Sequence, residues 1–301
     1  MGNSEAKMSI NPDWNAIANT ISNDLSNDEK HEAWQGKCQA WLGTLVNELE
    51  GDYHICDTEN FTIVSDEGDR YIKVFSSFLE LSRKRILSTL MGVASDEGFG
   101  KHVAIIFKDL DHYYDYVSMF LPEEGEFGIS SGMYINNGYG HFVFPIQDME
   151  YAEPIAVHEL THACLSHLLI PTWLNEGLAV LMEEVLANNT LYIDKEIVAQ
   201  YHQYWNEKNI QEFWSGDSFY ASDEGQGLSY HLAHILLRNI SQDYTALAEF
   251  ANSANMEDAG KSVAIKTLGV SLGDLVASFL GEGNWEPVMV KNKLVATEII
   301  D

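Results

Sequence analysis

Basic side chains are scarce. The 301 residues carry 17 Lys and Arg against 46 Asp and Glu, a formal net charge of −29. Nucleic acid and anionic membrane surfaces would repel such a chain, so the balance argues against both as partners. It suits a solvated acidic surface and, beyond that, cationic substrates or partners. Cysteine is scarce too: Cys38, Cys56 and Cys164 are an odd three, with no CxxC pair. This argues against a disulfide framework and a Cys-based zinc site, and it suits a reducing cytoplasm. No apolar stretch approaches the ~18 residues that a membrane span needs. The start, Met1-Gly2-Asn3-Ser4-Glu5-Ala6, shows no signal peptide, and Ala6 stands where N-myristoylation wants Ser or Thr. Internal repeats and low-complexity linkers are also missing.

What is present is an ordinary apolar fraction, 46%, in a chain long enough to bury a sizeable core. Its length sets a prior of about two domains or subdomains. Residues 1–50 read as polar helices, with Trp34, Cys38, Trp41, Leu42 and Leu45 on one face at spacings of three and four. Phe61-Thr62-Ile63-Val64 is a short β-rich run, and 69–92 has helical periodicity. The run 102–107 predicts a buried strand, and 109–121 a helix ending near Pro122. A Gly-rich stretch from Gly128 to Gly140 holds Met133-Tyr134-Ile135, and His141-Phe142-Val143-Phe144 predicts another strand. From residue 150 the chain turns helical.

The chemistry lies in His158-Glu159-Leu160-Thr161-His162. On a helix, four residues turn about 400° and rise about 6 Å, so His158 and His162 leave one face a turn apart and can share one metal ion. Glu159 lies about 100° round, beside the metal without ligating it, where it can accept a proton from a metal-activated water. Pro154, in a first turn, and the stripe Val157, Leu160, Cys164 and Leu168 support a helix here. Two histidines embedded among these apolar residues would be costly without a partner.

A catalytic zinc needs a third protein ligand and an open position. Glu176, 14 residues after His162 in Pro171-Thr172-Trp173-Leu174-Asn175-Glu176-Gly177-Leu178-Ala179, is the candidate. Pro171 and Thr172 open a second helix, Glu176 projects back from its first turns, and Gly177 is expected to let it approach the first helix closely. Glu183 and Glu184 lie about two turns further on, too far to reach the same ion.

HELTH followed by PTWLNEGLA resembles the zincin metallopeptidases of the gluzincin type, closest to the peptidase MA-like group. The likeness is strong over residues 154–182 and looser upstream, where 101–107 and 128–135 resemble the family's sheet and substrate-flanking edge strand. The resemblance implies one zinc ion per chain, held by His158, His162 and Glu176, with Glu159 as general base. Two departures stand out. The family often has an acidic residue where this chain has Val180, leaving Glu183, Glu184 or a backbone carbonyl to orient a ligand His. The family's Tyr before a Gln-Gly pair is displaced: Gln226-Gly227 follows Glu224-Gly225, and the nearest tyrosines are Tyr220 and Tyr230. The resemblance also implies a Tyr or His over the zinc, for which Tyr220, Tyr230 and His231 are the candidates, with core packing as the rival role for each.

Other residues read as structural. Cys164 faces away from the metal as core filling, and His167 is a surface or cap residue. His231 and His234 have no acidic residue between them to make a second metal site, and Met133 and Tyr134 pack rather than meet substrate. The expected fold is a mainly helical α+β zincin-like one, with a small twisted, mostly antiparallel-edged sheet beside the HExxH helix and a helical C-terminal half. The expected division is a helical N-terminal extension at 1–50, a catalytic α+β region at 51–190, and a helical subdomain closing the cleft at 191–301. The expected function is hydrolysis of peptide or protein substrates, basic ones favoured. The rivals are a zinc-binding module without turnover, acting as a binding or scaffold protein, and a structural helical protein with a fortuitous motif.

Overall fold

The β-rich runs become one sheet. In the computed structural model, which describes residues 11–120, 130–190 and 195–288, the strands are β1 (His54–Asp57), β2 (Phe61–Ser65), β3 (His102–Phe107), β4 (Met133–Ile135) and β5 (His141–Pro145). Their order is β1-β2-β3-β5-β4. Both outer pairings, β1–β2 and β4–β5, are antiparallel, while β2–β3 and β3–β5 are parallel. The sheet is thus antiparallel at its edges, as the sequence predicts, around a parallel centre. Parallel neighbours need long crossovers, which is why helices interrupt the strands.

Twelve α-helices are described. The first five are α1 (Trp14–Ala18), α2 (Asn27–Glu48), α3 (Asp69–Thr89), α4 (Leu110–Val117) and α5 (Met149–Leu165). Next come α6 (Thr172–Ala187), α7 (Lys195–Tyr204), α8 (Ile210–Ser215) and α9 (Glu224–Ile240). Last are α10 (Tyr244–Ala251), α11 (Lys261–Leu268) and α12 (Leu272–Leu280), and a 3-10 turn covers Asp217–Tyr220. The fold is α+β and mainly helical. Helix α2 starts at a capping box in which the Ser26 side chain and Glu29 satisfy each other's backbone N–H groups. Helix α4 starts at Asp109, whose side chain accepts from the His112 N–H, and it ends at Val117. The expected end near Pro122 lies outside the described residues, as do Met1 to Ala6. No single described helix is long and apolar enough to cross a membrane; α11 and α12 together are, but with a 78° bend between them.

The described residues form two compact units. The first comprises 11–85, 96–120 and 131–163; the second comprises 86–95, 130, 164–190 and 195–288. The division runs through the continuous helix α5.

In the first unit, one face of the sheet presents Val64, Val103, Ile105, Phe107 and Val143. Packed with them are Trp14 of α1, Cys38, Trp41, Leu42 and Leu45 of α2, and Tyr113, Tyr116 and Val117 of α4. The N-terminal helices are therefore part of this core and not an extension from it. Alternate residues Phe61, Ile63, Ala104, Ile106, Phe142 and Phe144 point to the opposite face and are equally buried. There Phe75 of α3 meets Phe144 edge-on, centroids 5.2 Å apart. A sheet covered on both faces explains why its strands read as unbroken apolar runs. Each buried Phe contributes about 1.5–3 kcal/mol.

Among the polar groups buried in this unit is a histidine. His141 is 1% exposed, at the start of β5. Its Nδ1–H donates to the Tyr139 carbonyl at 2.7 Å, and its Nε2 accepts from the Tyr116 hydroxyl at 2.9 Å. Burial pushes its pKa down to about 4, opposed only by the Tyr139 bond. In the second unit the core is aromatic: Trp173 and Trp214 cross edge-on at 5.5 Å. Their indole N–H groups donate to the Ala259 and Trp285 carbonyls at 3.0 and 2.8 Å.

Candidate metal centre

Helix α5 begins at Met149, five residues ahead of Pro154, so that proline lies inside the helix rather than in its first turn. Only the bond to the Glu150 carbonyl, still near the N-terminal end, is lost by its missing N–H. Downstream, α5 turns Ala152, Ala156, Val157, Leu160 and Cys164 inward as buried residues. Cys164 is core filling, as its helical position predicts. The same periodicity sets His158 and His162 on one face, ring centroids 4.6 Å apart and planes at 80°.

Glu176 stands on the fifth residue of α6. Ligand-capable atoms of His158, His162 and Glu176 all lie within 4.8 Å of one another, and each residue is half-buried. Three ligands about 2.0–2.2 Å from a tetrahedral ion sit about 3.4 Å apart, so the trio meets the requirement within small side-chain movements. Two imidazoles and one carboxylate also suit zinc chemically, because they are borderline donors that leave a fourth position open. Among the described residues this is the group of three or more such side chains that converges in this way.

Glu159, next to His158, is 7% exposed. Gly132, just before β4, lies against it. A side chain at 132 would collide with Ile155 Cγ2 and stand 3.5 Å from Glu159 Cγ. Glycine is what allows the backbone to lie so close to α5 at Ile155, one turn before Glu159. The Gly-rich composition of 128–140 was the signal for such an approach, although it did not single out this residue.

Three expectations need correction or refinement. The first concerns Gly177, expected to serve an approach of α6 to α5. A Cβ there would stand 2.6 Å from Leu237 Cδ2 and 3.1 Å from the Ala233 carbonyl oxygen, so the close neighbour is α9. Glu184 does not turn to a ligand histidine in place of the acid missing at Val180. Its Oε2 lies 2.7 Å from Nε2 of the fully buried His234 and 3.6 Å from Nε of Arg238. Glu183 accepts from the Asn189 amide at 2.6 Å.

The three candidates for the residue over the metal also separate. Tyr220 ends the 3-10 turn, which α9 holds through a hydrogen bond between Ser218 Oγ and Ser229 Oγ at 2.7 Å and through Gln226 Nε2 donating to the Phe219 carbonyl at 3.2 Å. Tyr220 is 68% exposed, yet desolvation by neighbouring atoms pushes its phenol up to about 12, with the Glu176 carboxylate adding to the rise. It is thus within electrostatic reach of the metal-ligand candidate. Tyr230 lies edge-on to Phe219 at 5.2 Å, where it props that turn. His231 faces the Tyr201 ring at 6.1 Å, and desolvation, then His234, lower its pKa. Nothing in the sequence marked the Glu184–His234 pair, since 50 residues separate its partners.

A scan against protein-family models finds no match to this chain, and a search of curated proteins finds none either.

Proposed function

We propose that this chain is a zinc-dependent metallopeptidase of the zincin type. One zinc ion per chain would be held by His158, His162 and Glu176. The observation that carries this reading is the convergence of those side chains within 4.8 Å, with the buried carboxylate of Glu159 interleaved. When bound, zinc supplies a Lewis acid that polarises a carbonyl and lowers the pKa of a water toward ~7. Glu159 is the general base: it takes a proton from the attacking water and passes it to the leaving amine. Tyr220 is the favoured hydroxyl to hydrogen-bond the developing oxyanion. The substrate class is peptide or protein, with basic segments favoured by the −29 charge. The three cysteines are free, which suits a reducing compartment such as the cytoplasm.

The test joins metal content to turnover. Purified protein is expected to carry about one zinc, and Ala at His158 or His162 to abolish it. Glu159→Gln keeps shape and metal but cannot take a proton, so hydrolysis of a quenched peptide panel should fall by ~10²–10⁴. Full metal retention in both His variants would sink the site. Undiminished turnover in the Gln variant would sink the mechanism. A second reading, a zinc-holding module without turnover, is favoured by Val180 and by the engagement of Glu184 elsewhere. Stoichiometric zinc with no cleavage across the panel would select it.

A further inference from the structure

We propose that Glu184 and His234 form a buried clamp that positions Glu176, so that zinc affinity depends on a pair that does not touch the ion. The inference rests on the zinc reading above. Helix α6 packs along α9, and two contacts in that seam are specific. The turn at Gly177 lies against Ala233 and Leu237, and Glu184 Oε2 reaches His234 Nε2 at 2.7 Å. Positions seven apart differ by about 20° in direction round a helix and by about 10 Å along it, so both points lie on one face. Two such contacts on one face add to the packing that resists a roll of α6 about its own axis. That matters because a roll of about 20° moves a carboxylate ~6 Å from the axis by ~2 Å, about the length of a Zn–O bond.

The pair is built as an anchor. His234 is fully buried and the Glu184 side chain is 17% exposed. The other ring nitrogen, His234 Nδ1, is buried with no partner among the described residues, so Nε2 alone fixes the ring. Arg238, with Nε 3.6 Å from the same carboxylate oxygen and 49% exposed, adds charge but little restraint.

The experiment measures zinc dissociation by competition with a chromophoric chelator, on the full chain, alongside urea unfolding of the zinc-free proteins. Glu184→Ala and His234→Ala are each expected to weaken zinc about 10-fold, and the double variant no further. Glu184→Gln should recover to within about 3-fold, because its amide oxygen still accepts from the Nε2–H. Arg238→Ala should change little. Val276→Ala, in the fully buried core of α12, should lower the urea midpoint without moving zinc affinity. If Glu184→Ala does not fold, Glu184→Asp, one methylene short of His234, carries the same test. A lowered urea midpoint with wild-type zinc affinity in the Glu184 variant overturns the clamp. Absence of zinc from the wild-type protein instead overturns the metal reading beneath it.

Discussion

Gly177→Ala sets two effects against each other. In an exposed helix, Ala in place of Gly stabilises by about 1 kcal/mol. Here the added Cβ would stand 2.6 Å from Leu237 Cδ2, 3.0 Å from its Cγ and 3.1 Å from the Ala233 carbonyl oxygen. Leu237 is fully buried, so it can yield only by repacking the core around it. The carbonyl oxygen belongs to the α9 backbone and can yield only if the helices part. Overpacking of this kind costs about 1–3 kcal/mol, so the loss outweighs the propensity gain. The expected net effect is a destabilisation of about 1 kcal/mol, read as a lower urea midpoint at unchanged slope on chelator-treated protein. Because Glu176 is the adjacent residue, zinc should bind several-fold more weakly as well. A variant that is more stable than wild type, with zinc affinity unchanged, would refute the argument that α6 and α9 are in close contact at this point.

Other perturbations follow from the same structure. Gly132→Ala should displace Ile155 or the backbone before β4, and peptide turnover should fall while zinc content holds; undiminished turnover counts against the close approach to Glu159. Chelation should lower thermal stability, since zinc at 100 times its dissociation constant stabilises by about 2.7 kcal/mol, and calorimetry with and without zinc reads the difference. His141 gives an acid dependence with a definite sign. Folded, the imidazole stays neutral down to about 4, whereas in the unfolded chain it takes a proton near ~6.5. Between those values the unfolded state binds more protons, so stability falls as pH drops through the window and levels off below it. The loss is about 3 kcal/mol in all. His141→Gln should remove that part of the slope, and identical urea midpoints against pH for both proteins would show that His141 does not titrate this way.

The sequence revealed local structure better than partnership. The periodicity of α2 named its buried face, Cys38, Trp41, Leu42 and Leu45, but not that this face covers the sheet. The strands β2, β3 and β5 are apolar runs that announce themselves, whereas β1, with half-buried His54, Ile55 and Cys56 and exposed Asp57, has no such signature. Parallel pairing at the centre is non-local and leaves no short-range mark. At the candidate site, the four-residue spacing dictates that His158 and His162 share a face, and the NEG segment brings Glu176 to them. Gly177 signalled a close approach, correctly, but a missing side chain does not say which neighbour comes near. The choice among Tyr220, Tyr230 and His231 depended on how the 3-10 turn lies against α9, which is a tertiary matter.

The seven tryptophans divide between the two compact units. Trp14, Trp34 and Trp41 belong to the first, and Trp173, Trp205, Trp214 and Trp285 to the second. Each unit therefore carries its own intrinsic fluorophores, and replacing either set with Phe leaves emission that reports on the other alone. The first set has a further property. The Trp41 ring meets His141 edge-on at a centroid distance of 5.0 Å. A charged imidazole so close to an indole would quench it, so the Trp41 share of unit one's emission is expected to fall where His141 takes a proton.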